Sequence, residues 1–151
     1  MAFEIVAGVD YSAPSELALA RALELLAHRP DARLHVITVA AGAGPRLPEE
    51  LTLDAKERFL SEARATLERH LDEQVAARPG LRERLLLAVD FGDPAERILA
   101  LAKSADADLV VVGTRNRRGV ERLLLGSVAE TVLRNAGCPV LVMRERRASS
   151  G

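Results

Sequence analysis

The residues of this sequence best suited to binding a ligand lie between an aliphatic run and a predicted helix. Gly113 directly follows the aliphatic run at residues 109–112, and Gly126 and Ser127 come just before the helix. Four arginines fall between the two glycines: Arg115, Arg117, Arg118 and Arg122. A glycine lets a ligand approach the backbone, and a helix N-terminus offers unpaired amide hydrogens and the positive end of its dipole. This segment is therefore a candidate phosphate site.

Ser127 also marks the expected start of that helix. Glu130 follows three residues later, and Ser-x-x-Glu is a capping box, in which the two side chains bond the amides of the first turn. We expect the helix to run from Ser127 to Asn135, ahead of Gly137 and Pro139. A serine hydroxyl that caps a helix is not fully free for a ligand, so the two roles would compete.

The elements that would position these residues alternate along the chain. Aliphatic runs predict strands at residues 3–9, 34–39, 84–89, 109–112 and 140–143. Capping signals and helical spacing predict helices from Ser12, over residues 49–78, from Asp93 and from Ser127. A strand that is apolar at every position is typical of a parallel sheet covered on both faces. We therefore predict one doubly wound α/β domain with five parallel strands and helices on both faces.

Helical spacing also predicts which face of each helix packs on the sheet. In the first helix these residues are Leu17, Ala18, Ala22, Leu25 and Leu26. In the long helix they are Phe59, Leu60, Ala63, Leu67, Leu71 and Val75. On the solvent side of the long helix, Arg64 is spaced to pair with Glu68, and Arg69 with Glu73.

Length and composition are those of a single soluble domain. The chain has 151 residues, of which 48% are hydrophobic, and a formal net charge of −1 that gives no general attraction to nucleic acid or an anionic membrane. The N-terminus lacks the basic start and apolar core of a signal peptide, and no uncharged run approaches the roughly 18 residues of a membrane span. We expect a cytoplasmic protein. The single cysteine, Cys138, is expected to be an inert buried thiol.

Four short motifs occur in sequence order, each at or beside a predicted strand. They are Val9-Asp10-Tyr11-Ser12 after the first strand, His35-Val36 in the second, Gly113-Thr114-Arg115-Asn116 followed after nine residues by Gly126-Ser127, and Cys138-Pro139-Val140-Leu141-Val142. The third is similar to Gly-x2-Gly-x9-Gly-Ser/Thr, the nucleotide-binding signature of the universal stress protein family. Together the motifs resemble that family over residues 1–144, which leaves residues 145–151 as a polar tail.

The resemblance implies a Rossmann-like strand order of 3-2-1-4-5, with a ligand crevice where the ends of strands one and four meet. It implies ATP, possibly with Mg²⁺, as the ligand. The expected binding residues are Gly8, Val9, Asp10, Val36, Gly113, Arg115, Asn116, Gly126, Ser127 and Val128. Asp10 would accept hydrogen bonds from ribose hydroxyls or the adenine amine, and Val9 and Val36 would lie against the base. The structural alternatives are a turn aspartate and two core valines.

Asn116 stands where the family signature has its second glycine. If that glycine serves a positive φ, asparagine is the best substitute, because it enters the left-handed region more readily than most residues. If the glycine serves to leave space, the added amide crowds the phosphate. The sequence leaves both possibilities open.

Two functions follow from the sequence and the resemblance. The first is a nucleotide-binding stress-response module that forms a homodimer through the strand from Pro139 to Met143. The second is a family member that has lost the nucleotide and works only as a dimeric interaction module. We predict no catalytic residues and at most slow ATP hydrolysis, because the chain lacks the Gly-x4-Gly-Lys-Ser/Thr loop of efficient NTPases. His28, His35 and His70 do not cluster with acids or the cysteine in the sequence, so we predict no metal site.

Overall fold

The computed structural model describes residues 1–40, 52–115 and 125–146. The elements in chain order are β1 (Phe3–Gly8), α1 (Ala13–His28), β2 (Ala32–Ala40), α2 (Leu53–Gln74), a 3-10 helix (Pro79–Arg84), β3 (Leu85–Phe91), α3 (Pro94–Ser104), β4 (Leu109–Gly113), α4 (Ser127–Asn135) and β5 (Val140–Met143). All five strands pair in parallel, in the order β3-β2-β1-β4-β5. The predicted fold class and strand order are confirmed.

A hydrophobic core lies on each face of the sheet. Ile5 of β1 packs with residues of α1 and α2, such as Leu19 and Leu67, whereas its neighbour Val6 packs in a second core with Ile98 of α3. Successive side chains of a strand point to opposite faces, so a run that is apolar at every position fills both cores. Among the described residues, no helix is long and apolar enough to cross a membrane.

Side-chain caps fix the starts of α1 and α3 at the positions that the sequence indicates. The Ser12 hydroxyl accepts a hydrogen bond from the amide of Ser15, and an Asp93 carboxylate oxygen accepts one from the amide of Glu96 at 2.9 Å. A proline stands in the first turn of each helix, where its missing N–H costs nothing. Because α1 follows β1 and α3 follows β3, both helices begin at the carboxyl edge of the sheet.

The capping box at the start of α4 is not formed, although the predicted bounds of the helix are confirmed. Gly126 is the N-cap residue, and no side-chain hydrogen bond caps this end of the helix. Ser127 is the first helical residue, and the Glu130 side chain instead forms an ion pair with Arg134 at 2.7 Å. The first hydrogen bond of the helix runs from the Glu130 amide to the Gly126 carbonyl. Gly126 therefore occupies the N-cap position, and Ser127 already lies inside the helix, where its side chain does not cap it.

The long helix is shorter than predicted. Within the described residues α2 begins after Thr52, whose hydroxyl accepts a hydrogen bond from the amide of Ala55, and it ends at Gln74. The chain then turns into the 3-10 helix, where Pro79 stands in the first turn. Of the expected charge pairs on α2, Arg64–Glu68 forms at 3.5 Å, whereas Arg69 donates a hydrogen bond to Thr66.

The prediction that Leu17 and Phe59 pack against the sheet is wrong. Leu17 of α1 is 39% exposed and Phe59 of α2 is 38% exposed. Phe59 lies at the margin of the sheet, where its ring packs against Phe91 at the end of β3. Leu17 lies off the buried face of α1, which is formed by Pro14, Ser15, Ala18, Leu19, Ala22, Leu23 and Leu26. Helical periodicity identifies an apolar side, but tertiary packing decides which of its residues are covered.

Candidate functional site

The ends of β1 and β4 lie side by side at the carboxyl edge of the sheet, where open α/β sheets bind ligands. The segment after β1 carries Asp10, and the segment after β4 carries Arg115. Asp10 Oδ2 lies 3.9 Å from Arg115 Nη2. Both side chains are more than half exposed, so this pair contributes little to stability and can rearrange around a ligand.

Asp10 has a structural role that leaves part of its carboxylate available. Its Oδ1 accepts hydrogen bonds from the amide and the hydroxyl of Ser12, which fixes the turn before α1. Its backbone amide donates to the hydroxyl of Ser15 at 3.0 Å. The second oxygen, Oδ2, takes no part in this turn. Asp10 is therefore a turn aspartate, as the structural alternative expected, and this role is compatible with a ligand contact through Oδ2.

Thr114 joins the two ends of the segment that contains the candidate phosphate site. This residue is buried, its amide bonds the Met143 carbonyl, and its hydroxyl accepts a hydrogen bond from the Gly126 amide at 2.7 Å. Sequence reasoning missed this contact, although a threonine directly after the glycine of a buried strand was a visible signal. Thr114 places Gly126 beside the end of β4.

Gly113 and Gly126 have different structural reasons for lacking a side chain. A Cβ on Gly113 would lie 2.4 Å from the carbonyl carbon of Pro14 and 2.7 Å from the amide nitrogen of Ser15. Gly113 therefore allows the start of α1 to pack against the end of β4. A Cβ on Gly126 would meet nothing closer than Thr114 Oγ1 at 3.4 Å, and the φ of Gly126 is −60°. Within the described residues, neither packing nor backbone conformation requires glycine at 126.

The N-terminus of α4 offers backbone donors at this place. The first amides of a helix have no partner within it, and the Gly126 amide is already bonded to Thr114. The amides of Ser127 and Val128 in the first turn are therefore the ones suited to an anion, together with the positive end of the helix dipole. Ser127 is exposed, and its hydroxyl does not cap the helix. The competition between cap and ligand expected for this hydroxyl does not arise.

The other predicted binding residues are mostly core residues. Val36 is fully buried and Val9 nearly so, and both pack in the core beneath α1 and α2. Gly8 ends β1, where an added Cβ would lie 2.8 Å from the tip of Ile98. Contact of the two valines with a base stays a prediction, and their observed role is packing. Asn116 lies outside the described residues.

Two histidines contact acids that are distant in the sequence. His70 Nε2 lies 3.0 Å from Glu16 Oε2, and His35 Nε2 lies 2.7 Å from Glu4 Oε2. Clustering could not be read from the sequence because each pair joins different elements, α2 with α1 and β2 with β1. In the described parts of the chain, no group of three or more His, Cys, Asp or Glu residues could hold a metal ion.

Glu4 and Cys138 have shifted pKa values, but neither lies at the crevice. Burial raises the pKa of Glu4, whereas hydrogen bonds from His35 and Arg33 lower it, and the net pKa is below its usual value. Glu4 is near the start of β1, at the opposite edge of the sheet from Asp10. Burial, with Asp108 adding to it, raises the pKa of the Cys138 thiol, so this thiol is a poor nucleophile.

The strand order defines a doubly wound α/β domain, a class of fold in which ligands bind at the switch point of the sheet. The model of the universal stress protein family matches residues 1–144, and the chain belongs to that family. A universal stress protein of Methanocaldococcus jannaschii is 54% identical over 54 residues, which are 36% of this chain and 32% of that protein. A putative universal stress protein of Staphylococcus aureus is 33% identical over 141 residues, which cover 93% of this chain and 82% of that protein.

Solved structures of the family have the same fold. UspA from Lactobacillus plantarum, a universal stress protein, superimposes with a TM-score of 0.70 at 25% identity, over 94% of this chain and 97% of that one. A universal stress protein crystallised in complex with cAMP superimposes with a TM-score of 0.63 at 25% identity, over 93% of this chain and 95% of that one.

Proposed function

We propose that this universal stress protein binds an adenine nucleotide, ATP with or without Mg²⁺, in the crevice between the ends of β1 and β4. The observation that carries the proposal is the position of Gly126 directly before the first-turn amides of α4, where, within the described residues, neither packing nor its φ of −60° requires a glycine. A phosphate at this position would lie against the amides of Ser127 and Val128, with Arg115 close by.

The arrangement at the two strand ends also suits a nucleoside. In our proposal Asp10 Oδ2 accepts hydrogen bonds from ribose hydroxyls or the adenine amine, while Arg115 leaves Asp10 to bind the phosphates. In the structure, Arg115 and Asp10 form an exposed ion pair at 3.9 Å. A ligand that carries both hydrogen-bond donors and phosphates would satisfy both side chains at once. The family member crystallised with cAMP supports an adenine nucleotide as the class of ligand.

Calorimetric titration with Mg-ATP of the parent protein and Gly126→Val tests this proposal. The branched side chain would fill the space reserved for phosphate, so we expect the variant to lose ATP binding while keeping its helical content. Gly137→Val is the matched control, because no atom within 4 Å would meet a Cβ there, and it should bind ATP as the parent does. Parent-like ATP affinity in Gly126→Val would refute the proposed site.

Thermal unfolding separates a nucleotide site from a general anion site. ATP at about 100 times its dissociation constant should stabilise the fold by about 2.7 kcal/mol. Sulfate should stabilise it less, because sulfate uses the helix N-terminus but not Asp10. A melting temperature unmoved by millimolar Mg-ATP would favour the alternative function, an interaction module without nucleotide.

We also propose that the protein acts as a homodimer through β5. Both β3 and β5 are edge strands, but at β3 the Arg64 side chain of α2 donates a hydrogen bond to the Leu87 carbonyl at 3.2 Å. Side chains that occupy edge groups discourage strand addition. β5 is short and aliphatic, and Pro139 precedes it where a missing donor is tolerated.

Light scattering at tens of micromolar protein tests the dimer. Replacing both Val140 and Val142 with aspartate should give a monomer, whereas Leu86→Asp on the opposite edge strand should leave the dimer intact. Circular dichroism of each variant checks that the fold is retained. A monomeric parent protein at this concentration would contradict the proposal.

A further inference from the structure

Tyr11, the residue after Asp10, has an unusual backbone conformation. Its φ is 63°, in the left-handed region that bulky side chains rarely adopt. No glycine or asparagine eases this turn, and the side chain is 42% exposed. Such a conformation persists only where surrounding contacts hold it. The same backbone carries Asp10, so whatever holds Tyr11 also sets the position of the Asp10 carboxylate.

One contact of Tyr11 comes from α2, far away in the sequence, and adds to the hydrogen bonds of Asp10 with Ser12 and Ser15 within the turn. The rings of Tyr11 and His70 meet edge to face, with their centroids 5.3 Å apart and their planes at 75°. This is a favourable geometry for two aromatic rings. Burial and the nearby Glu16 carboxylate raise the pKa of the Tyr11 phenol, while the Thr38 side chain lowers it. The phenol therefore stays protonated in the physiological range.

Glu16 of α1 in turn fixes the imidazole of His70. Nε2 lies 3.0 Å from Oε2 and 2.9 Å from Oε1, but only the contact with Oε2 has the geometry of a hydrogen bond. Because a carboxylate only accepts, Nε2 is the donor. Glu16 Oε1 is buried without a hydrogen bond among the described residues, so His70 is the main compensation for this carboxylate. The two side chains orient each other.

We propose that His70 is a positioning residue for the ligand crevice, acting through its ring contact with Tyr11 to hold the backbone that carries Asp10. The inference rests on the proposed nucleotide site, which it deepens by adding a residue on a different helix. The path runs from Glu16 through His70 and Tyr11 to Asp10. It ties α2 to the strand end that forms one wall of the crevice.

The decisive variant is His70→Leu, which fills the same space without an aromatic ring or a donor. We expect its affinity for Mg-ATP to fall by about three- to tenfold, the range of one lost aromatic pair. In the ligand-free protein, hydrogen exchange of the amides from Asp10 to Ser12 should become faster. His70→Phe keeps a ring at this position and should restore slow exchange, which a role in packing alone would not explain. His28→Leu is the matched control, because the hydrogen bond of His28 Nδ1 goes to the Glu24 carbonyl of its own helix and not to another element.

A double-mutant cycle tests the path. In a Tyr11→Gly background, where glycine adopts the positive φ without strain, His70→Leu should have no further effect on ATP affinity. An undiminished effect there would show that His70 does not act through Tyr11, and would overturn the inference.

The exchange measurement needs no nucleotide, so it separates this inference from the proposed function. Suppose that the parent protein does not bind ATP, but exchange from Asp10 to Ser12 is faster in His70→Leu than in the parent. That result would refute the function and keep the positioning role. Unchanged exchange in His70→Leu and His70→Phe, with parent-like ATP affinity, would refute the positioning role and keep the function.

Discussion

Gly113→Ala is expected to damage the fold, although the glycine belongs to a ligand-binding signature. The added Cβ would lie 2.4 Å from the carbonyl carbon of Pro14, 2.5 Å from its oxygen and 2.7 Å from the amide nitrogen of Ser15. All three atoms are backbone atoms in the first turn of α1, so no side-chain rotation relieves the overlap. Either α1 or the end of β4 must move.

The size of the effect follows from the atoms involved. Overpacking of a well-packed core costs about 1–3 kcal/mol, and rigid backbone on the other side of the contact favours the upper end. A loss of about 3 kcal/mol in a domain of this size corresponds to a fall in melting temperature of about 6–12 °C. Gly137→Ala, which would meet nothing within 4 Å, should change the melting temperature little. Gly126→Ala has no clash closer than 3.4 Å and should lose only about 1 kcal/mol, because alanine is a poorer N-cap than glycine.

Thermal and urea unfolding of the three alanine variants beside the parent provide the assay. The reasoning requires Gly113→Ala to be clearly the least stable, without added ligand. Equal stability of Gly113→Ala and Gly137→Ala would refute the claim that Gly113 is needed for the packing of α1. The glycine would then have to be explained by the ligand alone.

Three further predictions follow from individual contacts. Because the folded-state pKa of Glu4 is lowered, its carboxylate stabilises the fold above its unfolded-state pKa, and this contribution is lost as pH falls through the folded-state pKa. The free energy of unfolding should therefore depend less on pH in Glu4→Gln than in the parent as the pH falls below 4.5, the usual pKa of a glutamate side chain, as urea unfolding would show. Thr114→Val leaves the Gly126 amide without its acceptor and should cost about 1–3 kcal/mol in thermal unfolding, whereas Thr114→Ser should cost less. Asn116→Gly should tighten ATP binding about tenfold in calorimetry if the amide crowds the phosphate, and barely change it if asparagine already replaces the glycine.

The strands of the sheet could be predicted from the sequence because they are continuous aliphatic runs. In an alternating α/β pattern, an aliphatic run such as residues 109–112 predicts a strand that is covered on both faces. The strand order came from the family resemblance, since periodicity carries no information about which strands are neighbours. Leu17 and Phe59 were misjudged for a related reason, because helical spacing does not show which residues of an apolar face the sheet covers.

The candidate site was predictable only as a set of backbone positions. Asp10, Gly113 and Gly126 were found from their places beside predicted strand and helix ends. The contacts that hold them were not, since Thr114 and His70 act through side chains whose partners depend on the fold. The capping-box pattern at Ser127 was misleading, because Gly126 with the Thr114 hydroxyl forms the start of the helix instead.

The measurement that tests the central claim most directly is the change in backbone amide chemical shifts of isotope-labelled protein on titration with Mg-ATP. If the nucleotide binds in the crevice, the largest changes will occur at Asp10, Gly126, Ser127 and Val128, and the amide of Gly137 will remain unaffected. An absence of saturable changes, or changes confined to residues outside the crevice, would contradict nucleotide binding at this site.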